Sequence, residues 1–331
     1  MTIRKRLLGA LAAALLAAAT LTACGSGSGS SSGEEVRFGY IGDYNGTSLL
    51  AIANDQGLWA KYGLKADTKV FTNGPLQIQA LGSGDLDFGY IGPGAMWLPA
   101  SGQAKVVALN TLGNSDRVIT QAGTTGLAGL RGKTIGVPQG TSGEMILTLA
   151  LQQAGLTKND VKIVPMDAST IVSAFSSKKI DAAGFWYPAI ATIKKQVPDL
   201  VELAKDSDFA SQLQFPTAFV AGNDVVTKQQ DKARKVVSVL RDAMKYRSAN
   251  PEQAVKLTAK MLKTDEGTVA ADAANNQVLN VDDLDRMTQD GTIDGWLSKM
   301  DQYFTASGQL KQSVGPKTYY TGDLFTSAGR S

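Results

Sequence analysis

The chain of 331 residues has no histidine and one cysteine. Without histidine, imidazole-dependent triads and acid–base schemes are unavailable, and so are most zinc sites. A single cysteine permits no internal disulfide. These absences weigh against an ordinary hydrolase, so the reading is a non-enzyme with no catalytic residues, no metal and no cofactor. A large excess of either charge is also lacking, with 33 basic against 30 acidic residues. Three of the basic residues, Arg4, Lys5 and Arg6, lie at the very start, and without residues 1–23 the balance is neutral. A neutral surface argues against nucleic acid as a partner. After the first 23 residues no hydrophobic run reaches spanning length.

What is present begins with that basic cluster, which is followed by an almost unbroken Leu/Ala run from Leu7 to Ala19. The run is shorter than the roughly 20 residues of a membrane span and reads in outline as a secretory signal. It ends in Leu21-Thr22-Ala23-Cys24, which resembles the lipobox of bacterial lipoproteins. The resemblance implies cleavage before Cys24 and a diacylglyceryl group on its thiol, which accounts for the lone cysteine. Gly25 to Gly33 is a Gly/Ser tract too poor in apolar surface to fold, a flexible tether. The mature protein is therefore expected outside the cytoplasm, moored by lipid on Cys24 to a Gram-positive cell surface or on the periplasmic side.

The chain also resembles itself. In "ALGSGDLDFGYIGPG" (80–94) and "AFSSKKIDAAGFWYP" (174–188), Ala80 aligns with Ala174, Ser83 with Ser177, Leu86 with Ile180 and Asp87 with Asp181. Upstream, "VRFGYIG" and "KTIGVPQ" each precede a helical run, and strands follow at Leu64 to Phe71 and Val161 to Met166. Both halves read strand, helix, strand, helix, strand, the pattern of parallel sheets covered on both faces. A period near a hundred residues marks duplicated lobes and not a solenoid. From about Lys228 onward the pattern is mostly helical, with a helix from Gln229 to Ala249 and another capped by Asn250 with Pro251 at its first position.

The order of "RFGY", "GLWAKYGL", "LGSGDLDFGYIG", "LRGKTIGVPQGTSGE" and "IDAAGFWYP" resembles the substrate-binding proteins of ABC importers in the nitrate, sulfonate and taurine group. "LGNSD" (112–116) and "FPT" (215–217) are most similar to the taurine and aliphatic sulfonate branch. The resemblance implies an α/β periplasmic binding protein fold of type II: two lobes, each with a mostly parallel sheet flanked by helices, two hinge strands, and a helical C-terminal extension packed on lobe one. The expected organisation is signal peptide 1–23, lipid-anchored linker 24–34, lobe one 35–112, lobe two 113–214, and a return to lobe one with C-terminal helices over 215–331. The function implied is capture of a small organic anion, taurine or an alkanesulfonate, for delivery by a monomer to an ABC permease and its ATPase. Alternatives are a nitrate-like anion, a thiamine pyrimidine precursor, or a sensory lipoprotein on the same fold.

Strand ends facing the cleft supply the candidate ligand contacts: Asp43, Tyr44 and Asn45; Asn73 and Gly74; Gly92, Pro93 and Gly94; Thr141 and Ser142; Trp186 and Tyr187. Glycines allow close backbone approach, and the first amides of a helix are unsatisfied donors, so several such termini make an anion site without Lys or Arg. Thr141 and Ser142 also fit plain N-caps, and Gly92 and Gly94 plain turns. In the taurine-like branch an acid follows "LGNS", which places Asp116 in the site. A second acid belongs after the Pro-Thr pair, but Phe219 stands there. An acid left inside a closed cleft would favour a ligand with a cationic group. "GKT" at 132–134 lacks the upstream glycine of a P-loop, since position 127 is Leu127, and opens a strand instead.

Overall fold

The computed structural model describes residues 33–328. Cys24, the signal segment and nearly all of the linker lie outside the described residues. The first strand already begins at Glu34, inside the expected linker, because Glu34 pairs with the backbone at Gly63.

Eleven strands build two sheets among the described residues. They are β1 (Glu34–Ile41), β2 (Leu64–Phe71), β3 (Phe88–Ile91), β4 (Lys105–Gly113), β5 (Asp116–Thr120), β6 (Thr134–Val137), β7 (Lys162–Pro165), β8 (Ala182–Trp186), β9 (Val201–Lys205), β10 (Pro216–Ala221) and β11 (Asn276–Val278). The six-stranded sheet runs β11-β4-β10-β3-β1-β2 and the five-stranded sheet β7-β6-β8-β5-β9. In each, the strand that opens the repeat lies between the next two and parallel to both, and an antiparallel strand lies beside the third: β10 against β3, β5 against β8. The two sheets therefore share one topology, and the chain crosses between them at β4–β5 and at β9–β10.

The repeat is legible down to atoms. Asp87 accepts the Arg37 backbone N–H at 2.9 Å, and Asp181 accepts that of Thr134 at 2.8 Å. Each aspartate thus ties the start of a third strand to the first strand of its own sheet. Leu86 and Ile180, one residue earlier, pack over glycines of those first strands. A Cβ at Gly39 would fall 2.6 Å from Leu86 Cδ1, and one at Gly136 would fall 2.8 Å from Ile180 Cδ1. The copies differ in charge: Asp87 also meets Lys232 and Arg37, so it is held below the usual carboxylate range even though burial pushes the other way.

Around the first sheet, Phe38 stacks on Phe88 at 5.7 Å and meets Trp59 and Phe219 edge-on. The helices Gln230–Ala249 and Pro251–Leu262 cover the helix Tyr44–Asp55. Ile171, Phe175, Phe185, Ile190 and Ile193 form a separate core on the outer side of the five-stranded sheet. Two details depart from the sequence reading. Asn250 does not cap the helix at Pro251: its side chain turns back to the Tyr246 carbonyl at 3.0 Å, while proline at the first position stands. The helical C-terminal region is also interrupted by β11, which adds to the edge of β4. Among the described residues no helix is long and apolar enough to cross a membrane.

Candidate functional site

The carboxyl ends of β1, β2, β3, β6 and β8 meet the chain crossings around one cavity, the place where α/β sheets hold ligands. About 40 Å³ is open there to the centre of a water-sized sphere, room for a small solute. The first sheet contributes Asp43, Asn45, Gly74, Tyr90, Gly92 and Pro93; the second contributes Thr141, Ser142, Trp186 and Tyr187. Gly113, Ser115, Asp116 and Thr217 come from the crossings, and Asp272 and Asn276 from the C-terminal region.

Ten of the thirteen ligand residues expected from sequence line this cavity, and three do not. Tyr44 is 3% exposed and packs its ring against Ala259 and Val269, because as the first residue of its helix it projects away from the strand ends. Asn73 is spent on its own helix, accepting the Leu76 N–H at 3.0 Å. Gly94 serves the lip of the cavity. A Cβ there would fall far inside contact with the backbone of Thr141 and Ser142, so the two sheets' loops touch at this glycine. Beside it Trp97 Nε1 donates to the Gly140 carbonyl at 3.2 Å.

Three buried carboxylates face the cavity. Asp43 caps the helix Tyr44–Asp55 by accepting the Gly46 N–H, and burial followed by the nearby Asp272 pushes its carboxyl well above the ordinary range. Asp272 accepts the Tyr44 N–H at 2.7 Å and faces the Ser115 hydroxyl at 3.5 Å, and burial raises it to about 6. Asp116 lies across the cavity on β5. Burial raises it to about 6 against the pull of Ser142, Asp206 and Arg117. Its backbone N–H donates to Asp206 at 3.0 Å, and its Oδ1 has no partner among the described residues.

Amides join the two crossings to this centre. Asn45 Nδ2 donates to Asn276 Oδ1 at 2.8 Å, Asn276 Nδ2 donates to Ser115 Oγ at 3.1 Å, and the buried Asn45 Oδ1 is left without a partner. Arg117 is 5% exposed but does not line the cavity. Its guanidinium donates to Glu202, Asn275 and the Asn114 carbonyl, and it lies over the Tyr187 ring. No Lys or Arg lines the cavity among the described residues. The described residues also hold no group of three or more carboxylates close enough to bind a metal ion.

The site therefore adds carboxylates to the helix N-termini expected to seat an anion. The donors that would hold an anion are partly taken by the protein's own oxygens: Tyr44 and Gly46 by Asp272 and Asp43, Leu76 by Asn73, and Gly143 by Thr141. Phe219, where the taurine-like pattern calls for an acid, packs in the core against Phe38 and Tyr90. The extra acid arrives instead from Asp272, 53 residues later and on a helix, at a distance no local motif could reveal.

Residues 46–254 match the family model described as NMT1/THI5 like. A provisionally named binding protein of Brucella abortus is 55% identical over 291 residues, 88% of this chain and 91% of that one. The taurine-binding periplasmic protein of Escherichia coli is 26% identical over 261 residues, 77% of this chain and 74% of that one. Among solved structures, the alkanesulfonate-binding protein SsuA from Xanthomonas axonopodis pv. citri, bound to MOPS, superposes with a TM-score of 0.69 at 18% identity, over 88% of this chain and 99% of that one.

Proposed function

Because the chain belongs to the NMT1/THI5-like family, we propose that it is the solute-binding component of an ABC importer, acting outside the cytoplasm. It captures one small amine-bearing organic solute between its two sheets and hands it to a membrane permease whose ATPase supplies the energy. The sheets and their helices act as lobes over 35–112 with 215–331 and over 113–214, hinging where the chain crosses. Lipid on Cys24 moors the protein to the membrane.

One observation carries the reading: a single buried cavity receives side chains from both sheets and from both crossings, so a solute there contacts both lobes at once. Only such differential contact shifts an open–closed balance. Of the solutes expected from sequence, taurine brings an ammonium to the carboxylates, whereas nitrate or a plain alkanesulfonate meets no cationic side chain. A thiamine-type aminopyrimidine is the second reading, favoured by the Tyr90, Trp186 and Tyr187 rings in the lining. The chain binds its solute without transforming it, in keeping with relatives named as binding proteins.

Thermal denaturation of the protein with taurine, ethanesulfonate, nitrate or an aminopyrimidine in excess tests this, with the bound compound recovered for mass spectrometry. A raised midpoint and an unchanged mass are expected. A changed mass would make the protein an enzyme; no shift with any of the four would rule them out as the solute, and no shift with simple charged amines as well would sink the reading.

A further inference from the structure

We infer that the solute is an organic cation of net positive charge, gripped by Asp43 and Asp272 from one lobe and by Asp116 from the other. The inference rests on the reading of the cavity as the solute site and narrows its substrate class.

The charges are one-sided. Three carboxylates are buried in the lining, at 7, 4 and 2% exposure for Asp43, Asp116 and Asp272, against no lining Lys or Arg among the described residues. Neither of the two buried guanidinium groups nearby lines the cavity. Arg117 meets Glu202, and Arg247 donates to Ser48 and the Asn110 carbonyl. A zwitterion would return as much negative charge as it neutralised. Its anionic end would also be desolvated without a cation to meet it, at several kcal/mol by ordinary ion burial.

The unmet hydrogen-bonding capacity has the same sign. Asp116 Oδ1 and Asn45 Oδ1 are buried acceptors without partners, and both residues line the cavity. Buried acceptors are costly unless a donor reaches them, and an ammonium or amidinium is all donor. Trp186 adds an aromatic ring to the lining, and such rings attract cations and not anions. The carboxylates are too dispersed to chelate a metal ion. An organic cation with N–H donors at separate points suits that spread.

A matched series of two- and three-carbon probes isolates charge from size: ethanesulfonate, taurine, ethanolamine and 1,3-diaminopropane, spanning −1 to +2 at neutral pH. Each is titrated into the protein and into Asp116→Asn, with calorimetry and thermal shift as readouts. Binding of the two cations at least tenfold tighter than taurine, weakened tenfold or more in Asp116→Asn, is the expected result. Tighter binding of taurine or ethanesulfonate than of either cation overturns the inference and leaves the importer reading standing. Cation binding indifferent to Asp116→Asn is surface binding and overturns it as well. No binding by any of the four overturns the inference, and with no shift by the aminopyrimidine either it overturns the importer reading as well.

Discussion

Alanine at Gly94 places one methyl group at the line where the lobes meet. The added Cβ would lie roughly an ångström or more inside ordinary contact with Ser142 N and the Thr141 carbonyl carbon. These are backbone atoms at the start of a helix and cannot swing aside, so the lips must part. The protein without solute should tolerate the change: Gly94 does not have a positive φ, and alanine at a compatible site tends to stabilise by about 0.4–1 kcal/mol. Closure is what suffers. A parted cleft cannot bring Asp116 and Asp272 onto one small solute together, and a hundredfold loss of affinity is the scale expected of lost contacts worth about 2.7 kcal/mol. A solute at 100 times its wild-type Kd, which stabilises wild type by roughly 2.7 kcal/mol, would then stabilise Gly94→Ala by only about 0.4 kcal/mol. Thermal shift with whichever probe binds wild type reads this directly, as several degrees shrinking to under one. Wild-type affinity in Gly94→Ala would refute the idea that binding requires these loops to meet.

Acid should stabilise the solute-free protein. Asp116 and Asp272 are raised to about 6, so between an unfolded value near 3.9 and pH 6 the folded state binds more protons than the unfolded chain, and stability falls as pH rises through that window. Each group alone is worth roughly 3 kcal/mol, and denaturant titrations at pH 4.5 and 7 should show the lower pH more stable as far as these groups decide it, with Asp272→Asn flattening the difference. Asp87→Ala strands Lys232, whose side chain is 9% exposed, and should cost about 3–5 kcal/mol, while Asp181→Ala loses a backbone tie worth about 1–3 kcal/mol; equal losses would contradict this ordering. Gly136→Ala presses on Ile180 Cδ1 and should cost about 1–3 kcal/mol by overpacking, recoverable in part by Ile180→Val.

The duplicated architecture was open to sequence reading because its determinants are local and repeated. Strand β2 falls on Leu64–Phe71 as the pattern indicates, and "GKT" does begin β6 at Thr134. The aligned Leu86-Asp87 and Ile180-Asp181 pairs do the same two jobs in each sheet, one apolar contact over a glycine and one hydrogen bond to the first strand. A residue pair constrained that tightly by its own sheet leaves a trace at a fixed offset. Asn250 shows the limit of local signals: Asn-Pro marks the helix start correctly, yet the side chain finds a partner one turn back that no pattern specifies.

The charge of the site was far less legible, and the reason is geometric. Reading strand ends one by one finds helix N-termini, which look like anion seats when each is considered alone. Whether such a terminus remains electropositive depends on what folds over it. Here Asp272, from a helix that begins 222 residues after Tyr44, reaches the Tyr44 N–H and occupies the seat with a carboxylate of its own. That contact sets a carboxylate where a free donor would otherwise point, and Asp116 adds another from across the cavity. The family resemblance carries the scaffold and the placement of the cavity faithfully, because both follow from strand order. Its ligand does not follow from them alone, since Phe219 packs in the core while Asp272, 53 residues later, brings a carboxylate to the lining. Which carboxylates close over the helix termini is a property of the tertiary structure, and a cationic solute would be selected there and not by the termini themselves.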